Sequence, residues 1–260
     1  MWAEDEDFKF ESIPFTNHPS MKSYAFSIGI VLLAAGAFWH YGRALWHPFL
    51  KKYSKMETVE SIKTRYETDV WQRLEPSLSQ IAIKDWPEKL VLIGMKEERI
   101  LEVWTEKAGK WIQIKTYPFT AFSGKLGPKL REGDRQIPEG LYEIEYLNPN
   151  STYHLSLKVN YPNAFDLRMA ESDGRSNLGG DIFIHGKFVT IGCIPIGDVA
   201  IEEVFLMAAN ARKGKIEVII APRDFRKGED FPEIEEVGWT TQLYPVIADK
   251  LQQFQVLDPH

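Results

Sequence analysis

A thiol attacks a carbonyl carbon once something takes its proton, and an imidazole does so near neutral pH. The stretch Asp181–Asp198, DIFIHGKFVTIGCIPIGD, puts one of each close together: His185 stands eight positions before Cys193, the only cysteine of the chain. Gly186 leaves room beside the imidazole. Gly192 has no side chain to block approach to the thiol, and the backbone N–H groups of Gly192 and Cys193 are candidate donors to a developing oxyanion. Thr190 either positions this loop or donates near the oxyanion. Eight residues of separation do not fix a distance, and a lone cysteine is also a common core residue. From residue types alone the pair is therefore either a nucleophile with its base or ordinary filler.

The rest of the composition narrows the chemistry. A single cysteine forms no intrachain disulfide and rules out multi-cysteine zinc sites. His18, His40, His47, His154 and His260 show neither H-x-H nor H-E-x-x-H spacing, so no metal and no cofactor are expected. A formal net charge of −6 argues against a nucleic-acid partner.

The elements that have to position the pair follow from periodicity. Asp181 to His185 reads as a strand ending on the histidine. Asp198 is a plausible helix N-cap, and Ile201, Val204, Phe205 and Ala208 give the apolar face of a helix closed by Lys213 and Gly214. In this strand–loop–helix frame Cys193 sits just before a helix N-terminus, whose dipole favours the thiolate. Upstream, KLVLIGM, RILEVWTE and KWIQIKTYPF read as an antiparallel meander, and Leu141–Tyr146 with Tyr153–Val159 as a strand pair. Ser123–Gly140 is a loop crowded with Gly, Pro and charge. Ile216–Ala221 is a further strand, and Ile247, Leu251 and Phe254 mark one face of a short C-terminal helix.

The N-terminal part differs. Residues 1–22 read as an acidic disordered arm. Tyr24 to Trp39, YAFSIGIVLLAAGAFW, carries no charge, and with its flanks the segment 23–42 is long enough to cross a bilayer as an uncleaved anchor. Residues 43–88 are expected to form a helical stalk, with Val59, Ile62, Tyr66, Val70 and Leu74 at helical spacing and Pro76 ending the pattern. The domain expected to carry the chemistry spans 89–222, and 223–260 is an extension packing on it. The fold class is α+β, mainly β.

Several blocks together resemble the YkuD-type L,D-transpeptidase family. They are Ile184-His185-Gly186 at a strand end, the Thr190-Ile191-Gly192-Cys193 element, and the Gly133–Tyr142 loop GDRQIPEGLY. Ser123–Gly140, Asn148–Ser156 and Tyr161–Asp166 are similar to blocks of its YafK-like branch, as is the short His-to-Cys loop. The resemblance covers roughly Leu90 to Pro222. Two departures stand out. In the wider family the cysteine is commonly followed by a hydrophobic residue and then Arg or Asn, where this chain has Ile194-Pro195, and Ile137 replaces the commoner Thr.

The resemblance implies a cell-wall enzyme acting on peptidoglycan stem peptides, in a role of cell-wall biogenesis and cell shape. Cys193 is then the nucleophile and His185 the general base and acid, passing through a thioester. The reaction is either transpeptidation or hydrolysis of diaminopimelate-linked crosslinks or protein tethers, a peptidoglycan-linked lipoprotein among them. The alternative is an inactive peptidoglycan-binding module on the same fold. Arg135, Arg168 and Arg175, with Arg131, are candidates for binding a substrate carboxylate in place of the missing side chain. Tyr161 and Asn163 either line a groove or make a structural turn. Peptidoglycan lies outside the inner membrane, so the expected location is a single-pass inner-membrane protein with its catalytic domain in the periplasm. The excess of Lys and Arg after the apolar segment points weakly the other way.

Overall fold

The structure, a computed structural model, describes residues 56–235 and 237–255 together with Ile30 and Phe38. The acidic arm, nearly all of the apolar segment 23–42 and the first part of the stalk lie outside the described residues. Among the described residues no helix is long and apolar enough to cross a membrane. Contacts divide the chain into units Met1–Met56 and Glu57–His260, and the second unit carries every element below.

Helix α1, Val59–Gln80, starts on a capping box in which Thr58 and Ser61 bond each other's backbone N–H. The helix runs through Pro76 instead of stopping there. Proline removes one backbone bond and crowds the preceding turn, but Val70, Leu74 and Leu78 are all buried, so the apolar face continues past it. This helix packs its buried face into the core.

Strands β1 (Leu90–Met95), β2 (Ile100–Lys107) and β3 (Lys110–Pro118) form the antiparallel meander. They are followed by β4 (Gly140–Asn148), β5 (Ser156–Val159), helix α2 (Ala164–Ser172), β6 (Phe183–His185) and β7 (Ile194–Pro195). Helix α3 (Asp198–Asn210), strand β8 (Glu217–Ala221) and helix α4 (Thr240–Leu251) complete the unit. All the strands belong to one sheet in the order β3-β2-β1-β8-β4-β5-β6-β7. It is mixed: β1 pairs with β8 and β6 with β7 in parallel, and the other neighbours are antiparallel.

Both faces of the sheet centre are covered, which is why β1 and β8 read as continuous apolar runs instead of alternating. Leu90, Leu92, Val218 and Ile220 face the cluster built with α1 and α3. Val91, Ile93, Ile219 and Ala221 face the cluster that includes Leu243, Ile247, Leu251 and Phe254. The half β4-β5-β6-β7 carries the His–Cys stretch to the sheet edge.

Candidate active site

His185 ends β6, paired with Ser156 of β5 on one side and with Pro195 of β7 on the other. Its ring is buried, and its Nδ1 lies 2.6 Å from the Gly186 carbonyl oxygen. A carbonyl only accepts, so Nδ1 carries the proton and Nε2 keeps the lone pair. Burial pushes the imidazole pKa down, against the pull of the Gly186 carbonyl. His185 is a neutral base with its acceptor nitrogen defined.

Cys193 is half-buried and directly precedes β7. The parallel register Ile184↔Ile194 and His185↔Pro195, continued by one residue, sets Cys193 opposite Phe183. The Asp181 carbonyl and the Phe183 backbone both meet the thiol, which places Cys193 beside the start of β6, the strand that ends on His185. The thiol and the imidazole are not hydrogen-bonded to each other; the thiol donates to the Asp181 carbonyl oxygen at 3.5 Å. Burial pushes the thiol pKa up, opposed by the Phe183 backbone and by Lys158. The resting pair is thus thiol and neutral imidazole, not thiolate and imidazolium.

The frame expected from sequence needs two corrections. Cys193 is followed by β7 and then α3, with four residues between it and the first helical residue, so it does not sit at the helix N-terminus. Asp198 is not the cap either: Gly197 takes that position, with no side-chain cap bond. The Asp198 carboxylate instead accepts the Lys187 backbone N–H at 2.9 Å and binds the Lys187 ammonium. Although burial works the other way, Lys187 holds this carboxyl below the usual range. The clasp closes the His-to-Cys loop at its base.

Thr190 ties the other end. Its hydroxyl donates to the Cys193 carbonyl oxygen at 2.7 Å and accepts the N–H groups of Cys193 at 2.8 Å and Gly192 at 3.2 Å. The amides expected to face an oxyanion are therefore engaged inside the loop, and Thr190 supports the loop. Both glycines are required sterically. Gly192 has φ +123°, and a Cβ there would stand 3.0 Å from the Gln136 carbonyl oxygen. At Gly186 a Cβ would stand 2.6 Å from Asp198 Oδ1 and 2.7 Å from the Tyr153 carbonyl oxygen. The space a side chain at Gly186 would need is already filled by protein.

Gln136 links the loop to a cleft of about 620 Å³, lined by Arg131, Asp134, Gln136, Arg175 and Asn177 among others. Asp134 shapes its wall, accepting from Lys129 Nζ and from the backbone N–H groups of Leu130, Arg131 and Gln136. Burial opposes its ionisation, but these donors hold its carboxyl below the usual range. Arg175 reaches the cleft with its guanidinium already bound to Asp173 and to the Leu130 carbonyl. Arg135 is exposed with φ +59°, and Arg168 lies over the Phe165 ring; neither lines the cleft. Tyr161 is buried with its hydroxyl on the Lys129 and Leu178 carbonyls, so it packs the fold rather than lining a groove. Asn163 caps α2. Among the described residues no cluster of three His, Cys, Asp or Glu side chains is placed to hold a metal.

Sequence reasoning missed Tyr153, whose ring stacks on His185 with centroids 4.6 Å apart. The available signal was its place in the Asn148–Ser156 block, just ahead of the strand that pairs with β6.

Residues 88–220 match the YkuD family, described as the L,D-transpeptidase catalytic domain. Over 118 residues the chain is 34% identical to "Putative L,D-transpeptidase YafK" of Escherichia coli K12, and it matches the protein of the same name in strain O157:H7 equally. The alignment covers 45% of this chain and 46% of the relative, so the chain spans about half the length of the curated relatives it matches. Among solved structures, the helical cell shape determining protein Pgp2 of Campylobacter jejuni is 23% identical, with a TM-score of 0.44, covering 68% of this chain and 61% of that one. Bd1075 of Bdellovibrio bacteriovorus is 20% identical with a TM-score of 0.39, covering 64% and 55%.

Proposed function

Since the chain belongs to the YkuD L,D-transpeptidase family, in its YafK-like branch, we propose that it is a cysteine acyl-transfer enzyme acting on peptidoglycan stem peptides. The observation that carries this reading is the half-buried Cys193 thiol set against β6, the strand that ends on His185, whose Nδ1 is committed to the Gly186 carbonyl. As substrate binds, His185 Nε2 takes the Cys193 proton while sulfur attacks the peptide carbonyl carbon. The C–N bond breaks, the imidazolium gives its proton to the leaving amine, and a thioester remains. An amine or a water then attacks the thioester, giving its proton to Nε2, and the thiol is restored.

Because the resting thiol is protonated, removal of its proton belongs to the attack itself and depends on His185. Release of the Cys193 N–H from Thr190 Oγ1 would free it for the oxyanion. The outcome, transpeptidation or hydrolysis of a diaminopimelate-linked crosslink or lipoprotein tether, is set by which acceptor reaches the thioester.

The test is turnover of diaminopimelate-containing muropeptides and of sacculi carrying linked lipoprotein, with product analysis. Cys193→Ala is expected to abolish turnover and leave the protein folded. A wild type that forms no thioester and releases no product would return the chain to the reading of an inactive wall-binding module. The same reading puts the domain in the periplasm, with 23–42 as anchor. A reporter fused after His260 that is active only in the cytoplasm would overturn that placement.

A further inference from the structure

His185 is not held by its own strand alone. Tyr153, 41% exposed, lies against the imidazole with its plane 34° from parallel. The Tyr153 carbonyl closes on Gly186, the residue whose own carbonyl takes the Nδ1 proton. One residue thus bears on both the face of the ring and the peptide that fixes its tautomer.

Tyr153 is itself braced. Asn150 clips the start of α1, accepting the Glu57 N–H at 2.9 Å and donating to the Glu57 carbonyl at 2.7 Å. His154 Nε2 lies 2.8 Å from Glu202, and its ring stands edge-on to Tyr66 of α1. Glu202 also takes Arg73 of α1 at 2.7 Å. These contacts bolt the Asn150–His154 turn to a helix outside the span matched to the family. A ring left 41% exposed gains little from burial compared with the core, whereas an aromatic face also favours the imidazolium that forms when Nε2 takes a proton.

The geometry points to Tyr153 as a positioning residue: it holds the His185 ring with Nδ1 on Gly186 and Nε2 available, and α1 holds Tyr153. This inference rests on the acyl-transfer reading. Its test combines kinetics on muropeptide with nitrogen NMR of His185 in the resting full-length protein, using Tyr153→Ala, Tyr153→Leu and Tyr153→Phe. Ala and Leu are expected to lower kcat by about 10- to 100-fold with little change in KM, because they lose the flat ring that aligns the base. Both should also show His185 as a mixture of tautomers where the wild type shows Nδ1–H alone. Phe keeps the ring and should restore both readouts. The inference is overturned if Leu behaves as wild type, if Phe is as impaired as Ala, or if the tautomer is unchanged in Ala and Leu. Should Ala fail to fold, the contrast of Leu with Phe decides. If the wild type turns over no muropeptide, the acyl-transfer reading fails, while the tautomer contrast still decides the role of Tyr153.

Discussion

Two polar pairs sit at strand ends of the same sheet and are built to opposite ends. Lys96 follows β1 and Glu139 precedes β4, and both side chains are fully buried. The Lys96 ammonium donates to the Gly127 and Ile137 carbonyls and to Glu139 Oε1, which uses all three of its protons. Glu139 also accepts the Gly127 N–H and the Tyr244 hydroxyl. Burial pushes the Lys96 pKa down, while Glu139 favours the charge. Nothing in that network is left to react, and it fastens the loop 123–140 between β1 and α4. His185 and Cys193 are the reverse. The imidazole keeps one lone pair uncommitted, and the thiol meets only backbone, a long contact to the Asp181 carbonyl and the Phe183 backbone. A polar group whose partners are complete stabilises; one held in place but incompletely partnered is available for chemistry.

Breaking the complete pair should have the largest effect on stability. Lys96→Ala leaves Glu139 buried without its cation, with an expected loss of about 3–5 kcal/mol in denaturant unfolding. A loss within experimental error would mean that the network is not a structural clamp.

An intermediate case lies between the pairs. Asp166, at the start of α2, accepts from the Tyr142 hydroxyl and the Asn163 N–H, yet burial raises its pKa to about 6. A carboxyl raised from 3.8 in this way favours folding when protonated. Its contribution is complete below about pH 4 and is lost as pH rises through about 6, amounting to about 3 kcal/mol. Unfolding of Asp166→Asn should lack that pH dependence. Parallel profiles for wild type and variant between those limits would refute the assignment.

The smallest expected effect on stability, and the sharpest test of the contrast, concerns the thiol. The raised thiol and lowered imidazole pKa values mean that Cys193 alkylation by iodoacetamide should climb with pH to a midpoint above the ordinary thiol value. His185→Asn should leave that midpoint in place. A plateau of reactivity below pH 7 would instead mean a preformed thiolate–imidazolium pair.

Much of the fold was legible because periodicity is a local property. The apolar runs of β1 and β8, the strand ending at His185, and the helix faces of Ile201, Val204 and Phe205 and of Ile247 and Leu251 each follow from side chains a few residues apart. Pro76 misled for the same reason: its local cost is real, but burial of Leu74 and Leu78 outweighed it. Asp198 had the residue type of a cap, yet a lysine eleven positions earlier took its carboxylate.

By itself, the sequence determined the identity of the pair, His185 and Cys193, and the ordered blocks that carry the family resemblance. Tertiary structure decided everything that depends on a partner distant along the chain. It inserted β8 between β1 and β4, buried Tyr161, turned the Gly192 and Cys193 amides onto Thr190, and laid Tyr153 on the imidazole. The physical reason is that residue type sets what a group can donate or accept. Which partner it meets, and how much water it loses on the way, is fixed only when the sheet closes.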